Sequence, residues 1–131
     1  MSTTIDVLGP DSAHEALPVA AHMVAENGWQ LTFDLDRSFA TVLTFINEDT
    51  MDAIAVRDEH GEIIAGALVY ANANFTVEKI GGIYMFYVLP FARGTHVARQ
   101  LLQACLAWFR DQNTRIVLAS QWSKIEPRVA R

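Results

Sequence analysis

The residues with the clearest chemical pattern lie where an apolar segment, closed by a proline, runs into a helical segment. This junction reads Val88-Leu-Pro-Phe-Ala-Arg93-Gly94-Thr95-His96-Val97-Ala98. Small residues ahead of a helix expose backbone N–H groups that converge on an anion at the positive end of the helix dipole. A diphosphate fits such a junction, and Arg93 is expected to help fix the loop or the phosphates. The backbone N–H groups predicted to bind it are those of Gly94, Thr95, His96, Val97 and Ala98.

The same junction resembles the acyl-CoA segment of the GNAT superfamily of acyl-CoA-dependent N-acetyltransferases, whose usual form is V-x-P-x-x-[RQ]-x-x-G-x-[GA]-x-x-L-L. The one departure is His96, where the family most often has Gly. The resemblance implies transfer of an acetyl group from acetyl-CoA, or of another acyl group from its CoA ester, to a primary amine. The residues that match the motif are Val88, Pro90, Arg93, Ala98, Leu101 and Leu102.

The resemblance also implies how the pantetheine arm of the cofactor is held. In the family, the strand before the loop splays from the next strand and leaves backbone groups free to pair with that arm as an added strand would. In this sequence the role falls to the main chain of Phe86, Tyr87 and Val88, with the gap opening toward residues 115–120.

The candidates for proton transfer rest on weaker patterns. Some family members carry a Glu eleven positions before the motif Arg, and this sequence has Gly82 there. Glu78 and Tyr84 are therefore the candidate catalytic residues, and His96 is a third, because acyl transfer needs only positioning and a base or a water chain for the amine proton. Tyr87 or Ser120 is expected to donate a proton to the leaving sulfur.

Each of these side chains also has a purely structural interpretation. A Glu in a polar loop is usually solvated, a Tyr on an apolar strand usually packs in a core, and a His near a helix start usually lies at the surface. No metal site is predicted, because His14, His22 and His60 have no regular mutual spacing. Cys105 is interpreted as a buried hydrophobic residue without a catalytic role.

The elements that must position this junction follow from hydrophobic periodicity and turn residues. The last predicted helix is the clearest, and its expected inward residues are Val97, Leu101, Leu102, Cys105, Leu106, Trp108 and Phe109. The resulting fold class is α/β (α+β): a GNAT-like mixed, mostly antiparallel sheet flanked by helices. The predicted strands are 3–7, 53–56, 62–70, 80–89 and 115–120, and the predicted helices are 12–27, from 34 or 36 to 47–50, and 95–112.

The resemblance covers nearly the whole chain, and residues 1–131 are expected to form a single GNAT-like acyl-CoA N-acyltransferase domain. The usual last helix and two strands are expected to be missing, with residues 126–131 beginning that helix. Such a loss favours two alternatives to an enzyme: a catalytically inactive binding or assembly module, or a CoA-binding sensor. An exposed C-terminal sheet edge also suggests a homodimer or a complementing partner, since unpaired edges are usually covered.

Composition narrows the classes of partner. The formal net charge is -5 with only 10 Lys and Arg residues, which argues against nucleic-acid binding and favours an amine-bearing acceptor, either a protein or a small molecule. The apolar runs are too short for a membrane span, and the start of the sequence carries no export pattern. A cytoplasmic location is therefore expected.

Overall fold

The described residues form one five-stranded sheet with three α-helices and two short 3-10 helices. The computed structural model describes residues 2–27 and 31–122, and for residues 115, 116 and 118–122 it describes the backbone alone. Residues 126–131, predicted to begin a last helix, lie outside the described residues. In chain order the elements are β1 (Thr4–Val7), a 3-10 helix (Pro10–Ala16), α1 (Leu17–Asn27), α2 (Leu35–Asn47), β2 (Met51–Arg57), β3 (Ile63–Asn72), β4 (Lys79–Val88), a 3-10 helix (Pro90–Ala92), α3 (Val97–Asp111) and β5 (Thr114–Trp122).

The sheet has the strand order β1-β2-β3-β4-β5. The first four strands pair antiparallel with their neighbours, and β5 pairs parallel to β4 after the crossover through α3. A parallel pair requires such a crossover connection, because a hairpin reverses the chain direction. The predicted mixed, mostly antiparallel sheet flanked by helices is therefore confirmed.

Helices cover both faces of the sheet. Alternation along β2 divides its residues between two cores: Ala53 and Ala55 pack with Val19, Met23 and Phe45 of α1 and α2. Residues of β2 that point the other way join the α3 core, which is formed by Ile54, Val56, Ile64, Ala65, Ala67, Val69, Ile83, Val88, Ala92, Val97, Leu101, Cys105 and Phe109.

The segment 12–27 differs from the predicted single α-helix. Residues Pro10–Ala16 form a 3-10 helix, and the α-helix begins only at Leu17. Pro18 is the second residue of α1, a position where a missing N–H costs no helical hydrogen bond. The α2 start is as predicted, because Asp34 caps the helix by accepting the backbone N–H of Arg37 at 2.9 Å.

The α3 helix buries a narrower stripe than its sequence suggests. Val97, Leu101, Cys105 and Phe109 are buried, each four residues after the last. Leu102 and Leu106 are 42% and 41% exposed, so the prediction that they face inward is wrong. An α-helix has 3.6 residues per turn, so side chains four residues apart lie on one face and pack on the sheet. Leu102 and Leu106 each come one position after a buried residue, so their side chains point away from the sheet.

Candidate active site

A bulge in the middle of β4 turns two consecutive side chains to the same face of the sheet. Leu68 pairs with Met85 and Val69 with Ile83, so Tyr84 is the extra residue. The Tyr84 ring lies 5.4 Å from the ring of Phe45 on α2, and Met85 packs in the same α1–α2 core. Bulges commonly re-aim side chains next to active sites.

Beyond this bulge, residues 86–88 of β4 extend past the last described pair with β5, Met85 with Trp122, and the space beside them is called the gap. The prediction that this gap opens toward residues 115–120 is wrong, because residues 116–119 pair with residues 80–83 of β4. The Leu89 N–H donates to the Ile64 carbonyl of β3 at 3.0 Å. Alternation therefore directs the backbone of Tyr87 toward β3 and that of Phe86 and Val88 away from it. The Phe86 N–H lies beside the Met85–Trp122 pair, whereas the Val88 N–H lies beyond it.

A cleft of about 250 Å³ occupies this gap. Its lining joins the end of β4 to the loop before α3. The lining residues are Phe86, Tyr87, Val88, Arg93, Gly94 and Ala98. The structure thus brings six of the nine predicted cofactor-binding residues together around one space.

The loop before α3 has the form expected of an anion site. Gly94 has a φ of 78°, a left-handed conformation that Gly adopts without strain. The N–H groups of Gly94, Thr95 and His96 make no hydrogen bond within the part of the chain that the structure describes. The Val97 N–H differs from the prediction, because it donates to the Thr95 hydroxyl oxygen at 3.3 Å. That hydroxyl donates in turn to the Ala92 carbonyl at 2.6 Å, which fixes the loop.

His96 points away from the cleft. Its Nε2 lies 2.9 Å from the hydroxyl oxygen of Thr3, and that hydroxyl donates to the Gln100 side-chain oxygen at 2.5 Å. The Thr3 hydroxyl therefore links the His96 ring to the Gln100 side chain. The imidazole is thus tied to the residue that precedes β1, and only the His96 backbone faces the loop.

Arg93 is held by the protein itself. Its Nε donates to the Val88 carbonyl at 3.0 Å, and its Nη1 donates to Glu26 Oε1 at 2.8 Å while Nη2 reaches Oε2. Its guanidinium carbon lies 5.1 Å from the centre of the Tyr87 ring. The hydrogen bonds to Glu26 raise the pKa of Arg93 above its usual range. Arg93 therefore braces the loop, which is one of the two roles predicted for it.

Tyr87 completes this cluster by donating its phenolic proton to Glu26. Burial raises the pKa of Tyr87 to about 12, and the hydrogen bond to the Glu26 carboxylate adds to the shift. The phenol is consequently protonated at neutral pH and is able to act as a donor. Sequence reasoning missed Glu26, because it lies on α1, far along the chain from both of its partners.

The two candidate catalytic residues lie well apart, with Glu78 before the start of β4 and Tyr84 at the bulge in its middle. Glu78 is exposed in the turn before β4, eight residues before Phe86, a separation of roughly 25 Å along a strand. The structure therefore does not bring Glu78 to the cleft. Tyr84 lies next to the strand separation, and its assignment as a catalytic residue stays a prediction.

Tyr70 occupies the space beside Gly82, where the family resemblance gives some members a carboxylate. The two residues are partners across β3 and β4, and a Cβ built on Gly82 would collide with the Tyr70 ring and hydroxyl oxygen. Gly82 is therefore required by its neighbour, and a longer side chain at this position needs Tyr70 to move.

A second pocket of about 160 Å³ lies on the α1–α2 face of the sheet. Tyr84 and Met85 of β4 form part of it, and the next residue along the strand, Phe86, begins the cofactor cleft. The lining of the pocket and the lining of the cleft therefore follow one another along β4, on either side of the step from Met85 to Phe86. The remaining lining residues are Ala20, Met23, Val24, Arg37, Ser38, Thr41, Val42 and Leu68.

Neither a metal-binding cluster nor a membrane-spanning helix is found among the described residues. Across residues 2–27 and 31–122, no group of three His, Cys, Asp or Glu residues is placed to hold a metal ion. Over the same residues, no helix is long and apolar enough to cross a membrane.

Comparison with known proteins identifies the class. A profile of the acetyltransferase (GNAT) family matches residues 22–123, which include the bulge, the gap, the loop and α3. The chain belongs to this family, and the predicted class of enzyme, a GNAT-type acetyltransferase, is confirmed. The comparison with curated protein sequences found no significant match.

Solved structures share the fold at low sequence identity. A ribosomal-protein-alanine N-acetyltransferase from Brucella melitensis biovar Abortus 2308 is 17% identical with a TM-score of 0.78, covering 100% of this chain and 86% of that chain. The aminoglycoside N-acetyltransferase AAC(6')-Iy in complex with CoA is 15% identical with a TM-score of 0.77, covering 97% and 79%. A metagenomic aminoglycoside acetyltransferase in complex with sisomicin is 13% identical with a TM-score of 0.73, covering 97% and 82%.

Proposed function

We propose that this chain transfers an acetyl group from acetyl-CoA to a primary amine. The observation that carries the proposal is the order of the two spaces along β4: Tyr84 and Met85 line the second pocket, and residues 86–88 line the cleft directly after them. The cleft reaches a helix start that can accept an anion. The second pocket is a separate space for an acceptor, and the bulge at Tyr84 is the proposed meeting point of the two substrates.

The residues present fit an acyl-CoA. Free N–H groups at Gly94, Thr95 and His96 suit a diphosphate, and the backbone of Val88 suits the amides of pantetheine. The solved complex of AAC(6')-Iy with CoA supports this choice of ligand. Bound acyl-CoA supplies a thioester whose acyl carbon takes the amine nitrogen while the sulfur leaves as the thiol of CoA.

The roles of this chain's own residues follow from their positions. The Val88 backbone orients the pantetheine arm, and the brace of Arg93 on Glu26 holds the loop in its binding form. Tyr87 holds its proton at the phenolic oxygen across the physiological range and is the described candidate to donate it to the sulfur. Tyr84 lies at the bulge. Among the residues that the structure describes, it is the candidate to receive the amine proton through a water molecule.

Three further points belong to the proposal. We propose that residues 1–131 act as one domain, in the cytoplasm, and that a second copy or a complementing subunit covers the C-terminal sheet edge. None of these is needed for the chemistry at the bulge. The acceptors named for the similar structures, aminoglycosides and a ribosomal-protein alanine, share an amine nucleophile and support an amine acceptor.

The proposal is tested by release of free thiol from acetyl-CoA in the presence of a panel of primary amines, with acetylated product identified by mass spectrometry. Burial raises the pKa of Cys105 to about 12, so the native protein adds little to the thiol signal. Amine-dependent thiol release supports the enzyme. Binding of acetyl-CoA without any release would favour a sensor, and no binding would favour an assembly module.

The matched pair Ala98→Glu and Gln103→Glu gives the control. Ala98 lines the cleft in the first turn of α3, whereas Gln103 is exposed on the same helix. Both substitutions add one negative charge. A carboxylate at position 98 repels the diphosphate, so thiol release should be lost in the Ala98→Glu variant and retained in the Gln103→Glu variant.

A further inference from the structure

We infer that the second pocket takes a primary amine carried on a ring-sized apolar group, with no second positive charge. This inference rests on the proposed function, because it names the class of acceptor for the same reaction. It separates this chain from the similar structures of aminoglycoside acetyltransferases, whose acceptors carry several ammonium groups.

The lining of the pocket is apolar on three sides. Helix α1 contributes Ala20, Met23 and Val24, and the sheet contributes Leu68 and Met85. Such walls favour burial of apolar surface at about 25 cal/mol per Å². They give no compensating partner to a charged group, whose desolvation without one is costly.

No carboxylate is among the described residues that line the pocket. The charged lining residue is Arg37, whose side chain is 90% exposed and lies at the mouth of the pocket. Its Nε is 3.5 Å from Asp34 Oδ2, which also caps α2. An exposed pair of this kind is weak in solvent, so neither side chain offers a second ammonium group a buried partner at the mouth.

The volume sets the size of the apolar group. At about 160 Å³ the pocket is close to the cavity of about 150 Å³ that holds one benzene ring in an engineered protein core. A phenyl ring or a chain of about six carbons therefore fills it. An aminoglycoside, with its several linked sugar rings, is too large for the same space.

The geometry also orients such an amine. Tyr84 and Met85 line the side of the pocket that adjoins the cofactor cleft, and Arg37 lies at the mouth on α2. An amine that enters with its ring against α1 and Leu68 presents its nitrogen at the bulge. A cation at the other end of the molecule would lie against Arg37.

The first test compares kcat/KM for 2-phenylethylamine, hexylamine, 1,6-diaminohexane and kanamycin at saturating acetyl-CoA. Hexylamine and 1,6-diaminohexane differ mainly in the second ammonium group. We expect 2-phenylethylamine and hexylamine to exceed 1,6-diaminohexane in kcat/KM by about tenfold, because the apolar walls give a second ammonium group no partner to offset its desolvation. Equal or faster turnover of kanamycin or the diamine would overturn the substrate class and leave acetyl transfer intact.

The second test fills the pocket. Ser38 lines it on α2, whereas Ala40 is exposed on the same helix and does not. Ser38→Trp should raise the KM for 2-phenylethylamine by about tenfold or more and leave the KM for acetyl-CoA unchanged. Ala40→Trp should change neither value. An unchanged KM for the amine in Ser38→Trp would contradict the assignment of the pocket.

A binding measurement distinguishes failure of the acetyl-transfer reaction from failure of the pocket assignment. If no amine releases thiol, 2-phenylethylamine is titrated calorimetrically into the CoA-saturated protein. Binding that Ser38→Trp removes and Ala40→Trp retains would support the pocket while refuting the transfer reaction. Absence of such binding would overturn the inference.

Discussion

Both carboxylate oxygens of Glu26 on α1 accept hydrogen bonds from the guanidinium of Arg93 in the loop before α3. The pair joins a helix on one face of the sheet to the loop that begins the helix on the other face. Tyr87 of β4 donates to the same carboxylate, so the hydrogen bonds also link β4 to α1 and to the loop. The basic residue of the loop therefore fixes the shape of the loop, and the backbone N–H groups are the proposed contacts for the anion.

This brace predicts coupled effects on stability. Glu26→Ala and Arg93→Ala should each lower the free energy of unfolding by about 1 kcal/mol, a modest amount because both side chains are partly exposed. The double variant should cost less than the sum, since each single change already breaks the pair. Urea unfolding of the four proteins measures the coupling, and strict additivity would contradict the brace.

The main chain of Val88 is predicted to bind the cofactor independently of its side chain. Val88→Pro removes an N–H that points away from β3 and lies beyond the last described β4–β5 pair, whereas Val88→Ala truncates the side chain alone. We expect the proline variant to bind acetyl-CoA at least about tenfold more weakly than the alanine variant. The matched comparison uses calorimetry, and equal affinities would show that the backbone group contributes nothing.

Gly82 should tolerate no side chain while Tyr70 is present. Gly82→Ala is expected to lower the free energy of unfolding by about 1–3 kcal/mol, because its Cβ collides with the Tyr70 ring. In a Tyr70→Ala background the same substitution should cost much less. Thermal unfolding of the four variants tests this. If Gly82→Ala lowers the free energy of unfolding equally with and without the Tyr70 side chain, the Tyr70 ring is not the source of the strain.

Stability should depend on Tyr87 at alkaline pH. Its folded pKa of about 12 lies above the ordinary value of 10.0, so the folded state binds the phenolic proton more tightly than the unfolded state. That contribution is fully present below about pH 10 and is lost as pH rises through about 12. The stability advantage of the natural protein over Tyr87→Phe should therefore shrink between urea unfolding at pH 9 and at pH 11. A constant difference would mean that the pKa is not raised.

The conformation of the loop before α3 could be predicted because its information is local. Strand, proline, small residues and helix follow one another within residues 88–102, and Gly94 alone supplies the left-handed turn. The same local order gave the parallel pairing of β4 with β5. Glu26 and Tyr70 could not be found this way, since only the packing of α1 and the register of β3 bring them to Arg93 and Gly82.

Two other features needed the three-dimensional structure. Residues 80–89 are almost all apolar, so no alternation in the sequence marks Tyr84 as the bulged residue. The α3 sequence carries apolar residues on more than one stripe, and only contact with the sheet distinguishes buried Leu101 from exposed Leu102. Glu78 shows that closeness in sequence to a strand does not bring a residue to a site on that strand. It directly precedes β4, whereas the cleft lies at the other end of β4.

The most direct test of the account is the affinity of acetyl-CoA for the natural protein and for the matched variants Ala98→Glu and Gln103→Glu, measured by calorimetry. The account predicts saturable binding that is at least about a hundredfold weaker in Ala98→Glu and unchanged in Gln103→Glu, because only position 98 lies in the cleft. No binding to the natural protein, or equal binding to all three, would contradict the assignment of this cleft to an acyl-CoA.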